Sequence, residues 1–522
     1  MAHFLRGAKR ISKYLAAVML LGSVAGCGAS SVETKTEEPE AVQQAQVAAT
    51  NVNTDYESPV QIPGTLVDQV GFNTGSDKIV IFKGENLPKS FSIKDLETGE
   101  VVYTGDIPEV SEGRTYTLSR FTDFKTRGKY CIYTDTLGES YSFSIDDDVY
   151  GGVFNTACRK YYLNRCGSSL SEGFAGDSAR SACHTSMAHL QEDPAKELDV
   201  TGGWHMDAQA DRDTALGSRI AEQLLIAYEL NEKVFCDECG IPESGNGVPD
   251  ILDEIRYEVD WLLKMQDSTS GGEYGAALTV MGQESDVFTA PVAVTPVSME
   301  STIAFASMMA RFSYFYQKFD SEYATTCLRA ADRAFNCYLN NQTAPNTPEA
   351  FKAAAQLYRA TGGETYAKVL EDCFSTKGFL DNFGEDENVF LGAVTYISTS
   401  QPVDMDRCSV IMKALMKRAE AIAKTSQEEV FRVSDPENEG NFDKILDDMR
   451  CLSITNHIIY NHEYTTIIEN HAHYMLGMNP EAINFLSEDT ERTYLDADKS
   501  GVMNDPGENA LLILMLSAIT GK

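Results

Sequence analysis

The sequence predicts two structural classes in succession, a β-sandwich of immunoglobulin type over residues 62–147 and an all-α domain over residues 148–522. Two observations carry this. Short β-branched or alternating runs broken by turn residues fill the first segment, the pattern of strands with one buried face. Apolar residues at three- and four-residue spacing recur through the second, the pattern of helices that bury one stripe.

Two further segments precede these. In residues 1–27, Arg6, Lys9, Arg10 and Lys13 come before an apolar run around Leu15–Leu21, which is shorter than the roughly 20 residues a bilayer span needs and reads as an export signal. It ends in Val24-Ala25-Gly26-Cys27, which resembles a bacterial lipobox. On that reading Cys27 is lipidated and the mature chain is held outside the cytoplasm by acyl chains alone; the alternative is a plain secretory signal with an incidental Cys27. Residues 28–61 are rich in Glu, Gln, Ala, Thr and Val with few large apolar side chains. They bury too little to fold and are expected to form a tether.

The strand runs are LVDQVGF, KIVIF, SFSIKDL, EVVYTG, RTYTLSRF, GKYCIYT and ESYSFSI, the number an immunoglobulin-like sandwich uses. In the helical part, IRYEVDWLLKMQ sets Ile255, Val259, Leu262 and Leu263 on one face and is expected to leave Glu254, Glu258 and Lys264 to solvent; Trp261 falls in the core. ALGSRIAEQLLIAYEL, STIAFASMMARFSYFYQKF, ATTCLRAADRAFNCYL, EAFKAAAQLYRATG, RCSVIMKALMKRAEAIAKT, TTIIENHAHYMLGMN and NALLILMLSAI behave alike, which implies stacked helical hairpins.

Charge narrows the partners. With 43 Lys and Arg against 78 Asp and Glu, the net charge of −35 repels nucleic acid and anionic lipid headgroups, while a neutral polysaccharide is unaffected. Apart from Cys27, the cysteines are scattered through a large chain rather than packed as in a small disulfide-stapled domain. Cys236 and Cys239 form a C-x-x-C read as a loop pair open to a disulfide. His457, His462, His471 and His473 cluster without a His-Glu pattern and are assigned no chemistry.

IPESGNGVPDILDEIRYEVDWLLKMQD, Ile241–Asp267, resembles the long signature of glycoside hydrolase family 9, the cellulase-like enzymes. GGWH at Gly202–His205, LLIAYEL at Leu224–Leu230, AAAQLYRATGGETY at Ala353–Tyr366 and HYMLGMNP at His473–Pro480 agree with it, and LVDQVGFNTGSDKIVIF, Leu66–Phe82, resembles the opening of the immunoglobulin-like module found in one branch of that family. The resemblance covers the chain after the tether, least clearly over residues 377–455. It implies an (α/α)6 barrel whose open end holds a cleft for β-1,4-linked glucan, cleaved with inversion. Inversion needs a protonated carboxyl on the leaving oxygen and an ionised one activating water opposite, about 6.5–9.5 Å apart.

In the family, GGWH precedes Asp-Ala-Gly-Asp, whose second Asp is the general base. Ungapped, the two aspartate positions fall on Met206 and Gln209, and neither a thioether nor an amide takes up the water's proton. Asp207 and Asp211 stand nearby, where a one-residue bulge would carry either to the base position. At the other end, GVMNDPGENALLILMLSAI puts the acid position at or near Met503. Glu508 is the remaining acid candidate, against an ordinary first-turn role favoured by the helix dipole. The family's His-containing loop before the last helix is not recognisable.

A different set is better kept. Cys166, Cys183, His184 and His205 supply two sulfurs and two imidazoles, the set tetrahedral structural zinc prefers, and the branch with the immunoglobulin-like module carries a zinc site of these types in this order. The alternative is two buried thiols and two surface histidines, with Cys158 as another participant. Trp204 is expected to stack on a sugar face, or else to pack in the core. The resulting expectation is an anchored protein acting on β-1,4-glucan by inverting hydrolysis with a substituted base motif. The rivals are a non-catalytic glycan-binding lipoprotein on the same scaffold and a structural partner in a surface polysaccharide-handling assembly.

Overall fold

A computed structural model describes residues 56–282, 286–342, 346–438, 440–486 and 501–521. The export signal, Cys27 and most of the tether lie outside these residues. A sheet-rich domain comes first and a helix-rich domain follows.

The first domain has two sheets. One carries β1 (Thr65–Leu66), β3 (Ile79–Lys83) and β6 (Tyr116–Arg120) in the order β1-β3-β6. The other carries β2 (Gly71–Asn73), β4 (Ser90–Asp95), β5 (Val101–Asp106), β7 (Gly128–Thr134) and β9 (Phe143–Asp146) in the order β2-β9-β7-β4-β5, with β8 (Gly138–Glu139) on β7. The run LVDQVGF, expected as one strand, breaks and changes sheets. Asp68 Oδ1 accepts the N–H of Val70 and of Gly71, turning the chain, and Gly71 lies so close to β9 that a Cβ would sit 1.9 Å from the Ser144 carbonyl. Phe72, Phe121 and Phe143 fill the space between the sheets edge to face.

Among the described residues, the second domain contributes twelve helices of more than ten residues: α1 (Gly151–Leu163), α2 (Thr214–Leu230), α3 (Asp250–Met265), α4 (Met299–Tyr316), α5 (Ser321–Asn340), α6 (Pro348–Thr361), α7 (Glu364–Ser375), α8 (Glu387–Ser398), α9 (Met405–Glu428), α10 (Asp443–Ile458), α11 (His462–Met475) and α12 (Pro506–Ser517). Helices α2, α4, α6 and α8 pack successively, and α10 packs on α12, which returns to α2. An ion pair between Glu387 of α8 and Arg450 of α10 links the two sets. The N-termini of these six helices gather at one end, where Arg219 meets Glu300 at 2.8 Å and Gln223 meets Glu387 at 2.9 Å. Between them lie buried charges: Glu222 takes Lys352 at 2.8 Å and Ser307 at 2.9 Å, and Glu229 takes Arg359 at 2.7 Å and also Arg311.

A five-stranded sheet absent from the sequence expectation lies within this domain. It runs β11 (Asp193–Leu198), β10 (Ala188–Leu190), β15 (Val292–Val294), β14 (Ala276–Thr279), β12 (Arg212–Asp213), while β13 (Glu273–Tyr274) pairs with β16 (Val297–Ser298). Four of its strands have two to four residues, too short for periodicity to register, and β11, DPAKEL, is almost wholly exposed and carries no apolar alternation. Helix α3 also departs from expectation, because Glu254 and Glu258 are 1% and 0% exposed. The segment 202–206 covers the face of α3 that amphipathicity assigned to water. A Cβ on Gly203 would stand 2.6 Å from the Trp261 ring, so the Gly-Gly pair is what allows that cover.

The domains share one hydrophobic core. Between them, Asp68 Oδ2 meets His473 Nδ1 at 2.8 Å with both side chains fully buried, and Gln69 donates to the Ala482 carbonyl.

Candidate functional site

The clearest constellation is built from three segments. Cys166 follows α1, Cys183 and His184 lie in the connection before β10, and His205 precedes α2. The backbone sets Cys166 beside His205 independently of any side chain: the Cys166 N–H donates to Gly203 O at 2.7 Å and the His205 N–H to Asn164 O at 2.8 Å. His184 has φ +46°, a left-handed conformation costing about 1–3 kcal/mol that persists only where the surroundings enforce it. Here the His184 Nε2 contacts the Val287 carbonyl at 2.9 Å. With Nε2–H donating, Nδ1 keeps a lone pair toward Cys166.

The spacing fits a tetrahedral ion. Cys183 Sγ lies 3.7 Å from Cys166 Sγ and 3.5 Å from His205 Nε2, and Cys166 Sγ lies 3.4 Å from His184 Nδ1. Two sulfurs at about 2.3 Å and two nitrogens at about 2.0–2.1 Å from one ion stand about 3.8 Å (S to S) and about 3.5 Å (S to N) apart. The hydrogen bond with Cys166 and those with the two imidazoles draw Cys183 below the ordinary thiol range. Burial lowers His205 and so favours the neutral imidazole a metal takes.

The loop after His205 is tied down by its own aspartates. Met206 N donates to Asp211 O at 2.8 Å, and Asp207 Oδ1 accepts the N–H of Gln209 at 2.9 Å and of Asp211 at 3.0 Å. Asp211 Oδ1 takes the Thr279 N–H of β14 at 2.6 Å. Met206 points inward, its Cε 3.2 Å from where a Cβ on Gly217 would stand, and Gln209 is exposed. Across the same end, Asp505 caps α12 through the N–H of Gly507 and Glu508. Burial, with Asp505 and Asp443 adding, pushes the Glu508 carboxyl up to about 7, the opposite of what a solvated first-turn glutamate does. The first turns of α12 and α2 touch, Leu216 lying 4.0 Å from a Cβ placed on Gly507. Glu508 and the 206–211 loop thus belong to neighbouring helix starts. Met503 is 5% exposed and lines a pocket of about 430 Å³ with Lys160, Asn164, Asp177, Arg180 and Phe288.

Of the two readings of Trp204, core packing is the one its burial favours. Trp204 is fully buried, its ring 4.7 Å from that of Tyr161, and its backbone N–H donates to Glu258 Oε2 at 2.8 Å beneath the loop. An exposed aromatic beside the cluster is Phe288, 5.7 Å from the His205 ring, which no periodicity singled out since it sits in the connection between β14 and β15. Sequence reasoning also missed Arg165, which pairs with Glu243 and Glu254 at 2.9 Å each beside Cys166. Its only signal was adjacency to that cysteine.

A sheet-rich domain preceding a helix-rich one, with a Cys2His2 cluster at the loop before α2, defines a recognisable class. The model of glycosyl hydrolase family 9 matches residues 150–496 and that of the cellulase N-terminal ig-like domain residues 62–139; the chain belongs to glycosyl hydrolase family 9. Endoglucanase D of Acetivibrio thermocellus is 26% identical over 455 residues, 80% of this chain and 67% of that protein. The cellodextrinase of Butyrivibrio fibrisolvens is 26% identical over 482 residues, 82% and 85%. A thermostable endoglucanase of Alicyclobacillus acidocaldarius superposes with a TM-score of 0.75 at 20% identity, covering 88% of this chain and 100% of that one, a likeness of fold. By resemblance to endoglucanases the chain stands among the glycosidases.

Proposed function

We propose that the protein engages β-1,4-linked glucan chains on a six-hairpin (α/α)6 barrel formed by α1–α12, at the end where the N-termini of α2, α4, α6, α8, α10 and α12 gather, and that it holds the glucan rather than cleaving it. One observation carries the second half. The three positions at which family resemblance asks for acids hold Met206, Gln209 and Met503, while Oδ1 of both Asp207 and Asp211 is engaged by backbone N–H groups. An inverting reaction needs an ionised carboxylate free to take a proton from water, and misplacement of such a group by about 1 Å costs about 10²-fold. Endoglucanase and cellodextrinase relatives support glucan as the ligand.

A specific feature favours a second reading, slow inverting hydrolysis. Glu508, held near 7 by burial, has the protonation a general acid needs at neutral pH. Asp207 or Asp211 would then be the base. Release of reducing ends from cello-oligosaccharides, mixed-linkage glucan and xyloglucan, alongside calorimetric binding, separates the two. Binding without release supports the first reading. Release abolished by Glu508→Gln and by Asp207→Ala or Asp211→Ala replaces it with the second. Absence of both release and binding sinks both and leaves an assembly role.

The Cys166, Cys183, His184 and His205 set would hold zinc in a structural role, since four protein ligands leave no position for a reactive water. Its contribution would be to fix the 202–206 loop. In the same reading the protein works outside the cytoplasm, lipid-anchored at Cys27, supported by the basic and apolar composition of residues 1–27. Cys27→Ser releasing the protein into the soluble fraction is the expected result.

A further inference from the structure

Two pairs of thiols stand close together. Cys166 and Cys183 are buried, with sulfurs 3.7 Å apart. Cys236 and Cys239 are half-exposed, with sulfurs 3.2 Å apart. Their company differs. Imidazoles from His184 and His205 converge on the first pair, so a metal ion takes both sulfurs as thiolates and shields them from oxidation. Around the second pair the groups are acidic: Asp237 and Glu238 lie within the turn, and Asp250 Oδ2 accepts the Cys239 N–H at 2.5 Å.

We propose that Cys236 and Cys239 are a modification site, joined by an intrachain disulfide when the protein meets a small-molecule disulfide oxidant, while Cys166 and Cys183 stay reduced. The geometry asks for a closure of little more than 1 Å between the sulfurs, from 3.2 Å to a bond of about 2.0 Å. One cysteine thiolate attacks a sulfur of the oxidant and expels one small thiol. The other attacks the mixed disulfide and expels the second. The two protein sulfurs give up two electrons and two protons, and the oxidant's S–S bond takes them. Dependence on the proposed location is limited to the source of oxidant, which a purified-protein experiment supplies.

The surroundings make this a staple rather than an exchange catalyst. Exchange-active C-x-x-C pairs have a thiol held low, which leaves readily. Here burial and the neighbouring Cys236 hold the Cys239 thiol high, so attack on the Cys236 sulfur must expel a poor leaving group. What the bond fixes is the turn around Asp237, whose carboxylate binds the N–H of Gly245 and Gly247 at 2.7 Å each. That anchors the loop carrying Glu243, which grips Arg165 through two bonds of 2.9 and 3.0 Å next to the ligand Cys166. The disulfide thereby stiffens the outer support of the metal cluster.

The test uses the full chain, zinc-loaded, equilibrated in oxidised or in reduced glutathione, then alkylated and mapped by peptide mass spectrometry. In oxidised glutathione the peptide with Cys236 and Cys239 is expected unalkylated and lighter by two hydrogens, and Cys166 and Cys183 become alkylatable after chelator and denaturant without reductant. In oxidised glutathione Cys236→Ser is expected to leave Cys239 alkylatable or carrying one glutathione, with no peptide lighter by two hydrogens, and to speed limited proteolysis within residues 240–249 several-fold. Full alkylation of Cys236 and Cys239 in oxidised glutathione overturns the proposal, and so does linkage of either to the buried Cys158. Oxidation of Cys166 to Cys183 alongside Cys236 to Cys239 would refute the metal reading and leave the disulfide standing.

Discussion

Removing the zinc proposed for the Cys2His2 cluster is expected to loosen residues 167–201 selectively, and the structure sets the size of the effect. The backbone bonds of Cys166 N to Gly203 O and His205 N to Asn164 O already hold the first and last ligands together without metal. The ion's added task is to tie Cys183 and His184 to that pair, closing one loop in which Cys166 and Cys183 are 17 positions apart. Closing a loop of about 15 residues is worth about 3 kcal/mol in the chain-entropy account. At 1.4 kcal/mol per tenfold, that is a change of about 10² in local opening. Hydrogen exchange with and without chelator is the assay. Amides in 167–201 should lose about a hundredfold in protection while those in the middle of α2 keep theirs, and Cys183→Ser should reproduce the pattern with zinc present. Unchanged exchange on chelation would refute the reasoning, since the thiols and imidazoles would then hold the segment unaided; a collapse of protection throughout the helical domain would refute the loop-closure magnitude.

Other outcomes follow from buried groups. Lys352→Met leaves Glu222, 1% exposed, without its nearest counter-charge, and chemical denaturation should show about 3–5 kcal/mol lost; a loss under 1 kcal/mol would mean that Arg311, 3.8 Å away, suffices alone. Burial holds Glu258 at about 8, above its unfolded value of about 4.3. The folded state therefore binds the extra proton between those values, and stability falls as pH rises from about 4.3 to about 8. Glu258→Gln, which keeps an acceptor for the Trp204 backbone N–H, should gain on the parent protein over that window by up to about 5 kcal/mol, and a pH-independent difference would contradict the buried protonation. Trp204→Ala should cost about 3–5 kcal/mol through its cavity, while Trp204→Phe keeps glucan affinity; a selective loss of affinity in Trp204→Phe with stability intact would restore the sugar-stacking role.

How far the site was legible depended on the kind of signal each residue leaves. The convergence of Cys166, Cys183, His184 and His205 was readable because Cys and His in a fixed order carry their chemistry in their identity, wherever the chain puts them. Glu508 was readable as a carboxyl near the last helix, but its elevated protonation was not: that arises from burial beside Asp505 and Asp443, and Asp443 starts a different helix. Trp204 stayed open between stacking and core packing because an aromatic beside a predicted cleft looks the same in sequence whether its ring faces a sugar or Tyr161. Phe288 and Arg165 were passed over because neither belongs to a periodic run.

The sequence by itself determined the succession of a strand-forming segment and a helix-forming one, and the donor set of the cluster, since both are written locally, in spacing and in residue type. Only the tertiary structure decided that LVDQVGF divides between two sheets, that five short strands join across the helical domain, and that Glu254 and Glu258 face protein instead of water. Periodicity reports which face of an element is apolar; what covers the other face comes from chain distant in sequence, as when 202–206 closes over α3, and that cover sets which carboxyls keep their protons and which side chains reach a ligand.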